Sequence, residues 1–213
     1  MEARFGERWK DVLRFNRVDR RHVYPGFPLK VPRRLEDVAD FTPMPAEYPG
    51  GDNEAKRILV DLQEQFLGAY EYGKRVFSAP ITSGNGENPT PKGEFRVTAY
   101  HSAHRSTEYD IEDTGIPYPM TWALRFHVDR DGFAYWIHGR DLPGYPASHG
   151  CVGLYDEVMQ SKHYKVPRNP EMEDSRRLFE WAIAPRTDDG KYHLLTEGPR
   201  VRIVGGTREK TPR

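Results

Sequence analysis

The stretch that decides the fold runs from Tyr135 to Leu154 and reads YWIHGRDLPGYPASHGCVGL. One apolar run ends at His138, and a second opens at Cys151. Glycine and proline recur between the two runs, a composition typical of a turn-rich loop. The pattern therefore predicts two strands joined by a short connection. It places an imidazole and the chain's only cysteine at neighbouring strand ends.

An imidazole beside a thiol indicates nucleophilic catalysis. A free cysteine has a pKa of about 8.5, so it is mostly protonated at neutral pH. A nearby histidine can remove that proton or hold the thiolate in an ion pair. The residues around Cys151 are small, with Ser148 and Gly150 before it and Gly153 after it. Small residues let backbone N–H groups approach a developing oxyanion closely.

These residues have two other interpretations. A lone cysteine is often a buried, unreactive hydrophobic residue, but the Ser-His-Gly-Cys setting is polar and unlike a core strand. His138, His149 and Cys151 could instead bind a metal. No fourth ligand is evident nearby in the sequence, and zinc sites that use thiolates usually contain paired cysteines. We therefore predict neither a metal nor another cofactor.

Two segments of this stretch, IHG at 137–139 and SHGCV at 148–152, resemble the signature of the L,D-transpeptidase (YkuD-like) catalytic domain. A further segment, TPKGEF at 90–95, is similar to the family's Thr-Pro-x-Gly-x-Phe turn. The resemblance implies that Cys151 is the nucleophile and His138 the general base, with the Gly139 carbonyl orienting the imidazole. It also implies an oxyanion and substrate pocket made by Ser148, His149, Gly150, Val152, Gly153, Tyr118 and Met120.

One position departs from the family pattern. Members usually carry arginine, or asparagine in some branches, where this chain has Gly153. An arginine there could pair bidentately with a carboxylate or bind a carbonyl of the peptide stem. Its absence leaves the nucleophile and the base in place. It leaves open whether an amine or water is the acceptor.

The activity implied by the resemblance is acyl transfer on peptidoglycan stem peptides. Cys151 would form a thioester while a terminal D-residue leaves, and an amine would then form a 3→3 cross-link, exchange the residue or attach a wall-anchored protein. With water as acceptor, the chain would be an L,D-carboxypeptidase or an amide hydrolase of peptidoglycan or wall-linked protein. A third alternative is a non-catalytic wall-binding module.

The composition limits the possible partners. The 213 residues contain 32 acidic and 32 basic side chains, so the chain has no net positive charge that would attract nucleic acid. No apolar run approaches the ~20 residues that span a bilayer, and the N-terminus lacks the apolar core of a signal peptide. The chain is therefore either cytosolic or a mature form. The resemblance favours the periplasm or cell envelope, with an export signal removed; oligomeric state is left open.

The strand patterns predict a mainly β fold, and the resemblance implies a curved β-sandwich of mixed sheets with one or two packed helices. Residues 1–52 are expected to form a helix and a proline-rich extension packed on a catalytic domain at 53–205. A charged tail follows at 206–213. Strands are predicted at 57–62, 65–70, 75–82, 96–100, 120–126, 133–138 and 201–204. Helices are predicted from 155 and over 174–184, with a polar loop at 101–119.

Overall fold

The computed structural model describes residues 1–111 and 114–206. Within these ranges the strands form two five-stranded sheets, so the predicted mainly β class with mixed sheets is confirmed. The strands are β1 (Arg57–Asp61), β2 (Phe66–Glu71), β3 (Lys74–Pro80), β4 (Gly93–Arg96), β5 (Ala99–Asp110), β6 (Pro117–Val128), β7 (Ala134–Arg140), β8 (Val152–Tyr155), β9 (His193–Leu194) and β10 (Arg200–Val204). The α-helices are α1 (Glu2–Phe5), α2 (Trp9–Asn16), α3 (Glu157–Tyr164) and α4 (Asp174–Ile183).

The first sheet has the order β3-β2-β1-β10-β4, and the second has the order β8-β7-β6-β5-β9. The pairs β1·β10 and β7·β8 are parallel, and the other pairs are antiparallel. One core joins the two sheets and the helix α4. Its members include Ile58, Val60, Leu67, Leu124, Phe126, Ile137, Val152, Leu154, Leu178 and Phe179. Burial of these apolar side chains is the main stabilising term of the fold.

The chain crosses between the sheets at the end of β4. The Val97 N–H donates to the carbonyl of Pro199 beside β10, and the Thr98 N–H donates to the carbonyl of Arg125 in β6. The strand predicted over 96–100 is therefore interrupted, because its two ends belong to different sheets.

The segment 101–119 is not a loop, which corrects the prediction. It consists of most of β5 and the start of β6, paired as an antiparallel ribbon. Most side chains in its outer part are exposed, so the ribbon has no continuous apolar face to give the sequence a strand pattern. Glu112 and Asp113, which belonged to the same prediction, lie outside the described residues, as does the tail from 207 onward.

The N-terminal segment packs beside β7 and β8. It builds a second core with the loop after β7, the end of β8 and the segment before α4. This core contains Phe5, Trp9, Val12, Leu13, Val18, Leu142, Tyr155 and Met172. Beyond it, the proline-rich stretch runs beside β3, where the Tyr48 N–H donates to Gly73 O and the Arg75 N–H donates to Ala46 O.

Polar groups join the same segment to the loop after β7 and to α3. Asp19 is fully buried, and its carboxylate accepts the Leu142 N–H at 2.6 Å and the Gln160 amide at 3.0 Å. Arg20 forms a two-point ion pair with buried Glu157 at the start of α3. Helices in the described ranges are all too short or too polar to cross a bilayer.

Candidate active site

The parallel pairing of β7 with β8 brings the histidine and the cysteine to one face of the second sheet. Ile137 pairs with Val152 and His138 pairs with Gly153. Side chains alternate along a strand, and paired residues point to the same face. Ile137 and Val152 accordingly enter the main core. His138 and Cys151 lie on the opposite face.

That opposite face forms the floor of a cavity of about 550 Å³. His138 and Cys151 both line it, together with Trp136 of β7. One wall is the ribbon of β5 and β6, and the N-terminal segment contributes Arg21. The volume lies within the ~300–1,000 Å³ range of small-molecule sites. The cavity therefore has room for a short segment of peptide.

The imidazole of His138 is fixed in one tautomer. Its Nδ1 donates a hydrogen bond to the backbone carbonyl of Gly139 at 2.8 Å. A neutral imidazole with its proton on Nδ1 has Nε2 free to accept a proton. Burial, followed by the charge of Arg140, lowers the pKa of His138 to about 3, against the Gly139 hydrogen bond. The ring is therefore neutral at physiological pH.

Gly139 is required by its neighbours. A Cβ at this position would lie 2.3 Å from Asp156 Oδ2 and 2.6 Å from Thr121 Oγ1. The Thr121 hydroxyl donates to the Asp156 carboxylate, which also accepts the Met159 N–H at 2.8 Å and so caps α3. This cluster packs closely against the backbone that holds the imidazole, and any side chain at 139 would displace it.

Cys151 is half-buried. Burial raises the pKa of the thiol to about 11, while a backbone hydrogen bond from Trp136 and the charge of Arg140 act in the opposite direction. At neutral pH the thiol is therefore protonated. The resting pair is a neutral thiol and a neutral imidazole, so any activation of the sulfur requires proton transfer at the time of attack.

A tight turn presents the cysteine. The Ser148 hydroxyl donates to Cys151 O at 2.5 Å and accepts the Gly150 N–H at 3.1 Å. Gly150 has φ +106°, and a Cβ there would lie 2.7 Å from the Tyr135 ring. Glycine is the residue that adopts this conformation without strain. The exposed ring of His149 stacks on Tyr109 of the ribbon, with 4.1 Å between centroids.

The structure brings most of the predicted site residues together. His138, Ser148, His149, Cys151, Tyr118 and Met120 all line the cavity. Gly139, Gly150 and Gly153 shape the backbone around it and are absent from its lining. The Val152 side chain is fully buried in the core between the sheets, so only its backbone is left for the predicted pocket. Within the described ranges, no group of three or more His, Cys, Asp and Glu residues is arranged to hold a metal ion.

Several lining residues were not predicted. Trp136 and Arg140 stand two positions on either side of His138, so the period of a strand could have placed them on its face. His104 of β5 stacks over Trp136 at 4.2 Å, and its pKa is lowered to about 4, chiefly by burial. Arg21 had no local signal, because its place in the cavity depends on how the N-terminal segment packs.

The sequence matches a known protein family. The model of the L,D-transpeptidase catalytic domain (YkuD) matches residues 55–203, well over half of the chain. The chain belongs to this family. The resemblance noted in the sequence is thereby confirmed, and the chain carries an L,D-transpeptidase catalytic domain, the catalytic unit of an enzyme family. The comparison with curated proteins gave no match.

Solved L,D-transpeptidases are among the structures that match this chain. One from Stackebrandtia nassauensis is 21% identical, with a TM-score of 0.48, over 74% of this chain and 59% of that one. One from Xylanimonas cellulosilytica (residues 123–326) is 22% identical, with a TM-score of 0.48, over 91% and 78%. L,D-transpeptidase 1 of Mycobacterium tuberculosis is 16% identical, with a TM-score of 0.44, over 71% and 62%. The chain thus spans less than two thirds of the first and third of these proteins.

Proposed function

We propose that this protein is a cysteine acyltransferase that acts on peptidoglycan stem peptides through a thioester on Cys151. One observation carries the proposal. Cys151 and His138 lie on the same face of two adjacent parallel strands and open into one cavity. The bond from Nδ1 to Gly139 leaves Nε2 of the imidazole as the acceptor. A thiol and a neutral imidazole with a free ring nitrogen thus share one cavity, and these are the two groups that thiol attack with general base assistance uses.

In the proposed reaction, Nε2 of His138 takes the proton of the thiol as Sγ attacks the scissile carbonyl. The tetrahedral intermediate collapses, the amide C–N bond breaks, and the imidazolium returns the proton to the leaving amine. An acceptor amine then attacks the thioester and releases the thiol. The Gly150 N–H is already bound to Ser148 Oγ in the resting structure. The oxyanion donors are therefore assigned to other backbone N–H groups of the turn.

Peptidoglycan as substrate rests on membership of the family. The cavity agrees with a peptide ligand, since its lining combines aromatic side chains such as Trp136 and Tyr109 with charged ones such as Arg140 and Asp141. Such a substrate implies that the protein works in the cell envelope, for which we propose the periplasm.

Covalent labelling tests the nucleophile. A carbapenem contains a strained amide carbonyl that an activated thiol opens, so intact mass measurement should show a single adduct on the wild type. Cys151→Ala should show none, and His138→Gln should acylate at least about a hundredfold more slowly, because general base catalysis contributes about 10²–10⁴-fold. His193→Gln is the matched control, since His193 lies outside the cavity lining. An unlabelled wild type, or equal labelling of Cys151→Ala, would contradict the proposal.

A second assay identifies the acceptor. Purified tetrapeptide stems are incubated with and without a diamino-acid amine, and the products are separated by mass. A cross-linked or exchanged product that depends on the amine supports transfer. Release of the terminal residue at the same rate without the amine, and no cross-link with it, would indicate the L,D-carboxypeptidase instead.

A further inference from the structure

Arg140 occupies the space that Gly153 leaves open. The two residues lie on adjacent strands, with Arg140 two positions after His138 and Gly153 paired directly with His138. A Cβ at 153 would lie 2.1 Å from Arg140 Cγ and 2.3 Å from Cδ. The missing side chain at 153 therefore makes room for the stem of this arginine. Its guanidinium then lines the catalytic cavity.

The guanidinium has hydrogen-bonding capacity that the protein does not use. Only 16% of the Arg140 side chain is exposed, and its Nε is buried without a hydrogen-bond partner. None of its nitrogens donates a hydrogen bond to a residue that the structure describes. The closest carboxylate is Asp141, whose Oδ1 lies 3.6 Å from Nε. Asp141 already accepts bonds from Tyr118 at 2.9 Å and from Arg21 at 3.2 Å.

The surroundings of Arg140 fit a small anion. Arg21 and the rings of Tyr118 and Tyr164 line the cavity with it. The Arg21 guanidinium lies 3.9 Å from the Tyr164 centroid, and that of Arg140 lies 5.7 Å from the Tyr118 centroid. The negative groups that also line the cavity are Asp141, Glu108 and Asp110, and the last two lie on the exposed part of the ribbon. A largely buried guanidinium whose N–H groups lack hydrogen bonds is costly unless a ligand completes them.

We propose that Arg140, together with Arg21, binds the C-terminal carboxylate of the peptide that Cys151 cleaves. The inference rests on the proposed function and adds to it a selection for peptides with a free carboxyl end. A residue spans about 3.3–3.6 Å, so the carboxylate of a leaving C-terminal residue lies a few ångströms from the scissile carbonyl. Arg140 stands two strand residues from the base, about 6.6 Å along β7. A guanidinium can bind a carboxylate at two points there.

Paired substrates test the selection. The rate constant kcat/KM is measured for a stem peptide with a free C-terminal carboxyl and for the same peptide with a C-terminal amide. Arg140→Met should lower the acid-to-amide ratio by about tenfold to a hundredfold, the effect of losing a hydrogen bond to a charged group. Arg140→Lys should keep part of the ratio. Arg202→Met, on the first sheet and outside the cavity, is the control.

Alkylation tests the subsite without any peptide. Iodoacetate and iodoacetamide both react with the thiolate of Cys151, so the ratio of their rates cancels the thiol pKa and reports the charge nearby. We expect the iodoacetate-to-iodoacetamide ratio to fall about tenfold in Arg140→Met. A lower ratio in a protein that cleaves no stem peptide would keep the subsite and refute the proposed function. Cleavage with an unchanged acid-to-amide ratio in folded Arg140→Met would overturn the subsite and leave the function intact.

Moving the positive charge from position 140 to position 153 separates loss of the charge from misfolding of the variant. Arg140→Ala combined with Gly153→Arg moves the cation across to the neighbouring strand, into the space that the two residues share. The double variant should recover a preference for iodoacetate that Arg140→Ala alone has lost. Gly153→Arg alone should lower the melting temperature, because its Cβ collides with the Arg140 stem. An undiminished preference in Arg140→Ala would overturn the proposal.

Discussion

The ion pair between Arg20 and Glu157 predicts that the N-terminal segment stabilises the catalytic domain. Arg20 Nε and Nη2 donate to the two carboxylate oxygens of Glu157 at 2.7 and 2.5 Å. Glu157 is fully buried, and its Oε2 also accepts the backbone N–H groups of Glu171 at 2.7 Å and Met172 at 3.0 Å. Arg20→Met removes the only described cation that pairs with this carboxylate and leaves a buried charge.

The magnitude follows from the burial. Removing one partner of a buried ion pair costs about 3–5 kcal/mol. The two backbone bonds to Glu157 remain, so we expect the lower end, about 3 kcal/mol in the free energy of unfolding. A loss of 1 kcal/mol shifts the melting temperature of a domain of this size by about 2–4 °C, so the variant should melt about 6–12 °C lower.

Urea denaturation followed by circular dichroism at pH 7 measures the loss, with thermal melting in parallel. The double variant Arg20→Met with Glu157→Gln removes both charges and should recover much of it, because no uncompensated carboxylate remains and the amide oxygen still accepts the two backbone N–H groups. Arg176→Met is the control. Its ion pair with Glu180 is exposed and joins residues one helical turn apart, so it should contribute about 0.5 kcal/mol or less to the free energy of unfolding. If Arg20→Met costs no more than this control, the reasoning is wrong.

Three further predictions concern the site. The pKa of His138 in the folded chain is about 3, so on acidification the unfolded chain binds a proton at this residue first. The free energy of unfolding should therefore fall from pH ~6.5 towards pH 3, by up to about 1.4 kcal/mol per pH unit. Urea denaturation at several pH values should show that His138→Gln removes this part of the slope. Gly139→Ala collides with Asp156 and should destabilise by about 1–3 kcal/mol in the same assay, whereas Gly86→Ala, with open space around its Cβ, should cost less than about 1. The rate of iodoacetamide labelling of Cys151 should rise with pH to a midpoint near 11, and a midpoint at the ordinary value of about 8.5 would refute the burial of the thiol.

The local parts of the site could be predicted from the sequence. A histidine at the end of one apolar run and a cysteine at the start of the next gave two adjacent strands, because the connection is short and rich in glycine and proline. The same alternation could have assigned Val152 to the core, since it is one residue from Cys151 and side chains alternate. An assignment of every residue of the motif to the pocket ignores this alternation.

Other features had no local signal. The outer part of the β5 and β6 ribbon gives no strand pattern in the sequence, because a strand exposed on both faces has no apolar period. The contribution of Arg21 depends on how a distant helix packs on Leu142 and Tyr155. Arg140 stands two residues after His138 on the same strand, so strand alternation predicts that both side chains lie on one face. Its access to the cavity depended on the neighbouring strand, where Gly153 leaves the necessary volume.

Arg140 and Gly153 share one volume, so the residue that fits at either position depends on the residue at the other. A bulky side chain fits in one of them only if the other is small, so we expect relatives with arginine at the position of Gly153 to carry a slim or outward-turned residue at the position of Arg140. A sequence pattern that requires arginine two positions after the cysteine would miss chains that carry the arginine on the neighbouring strand. Either strand can thus supply one positive charge at this end of the cleft.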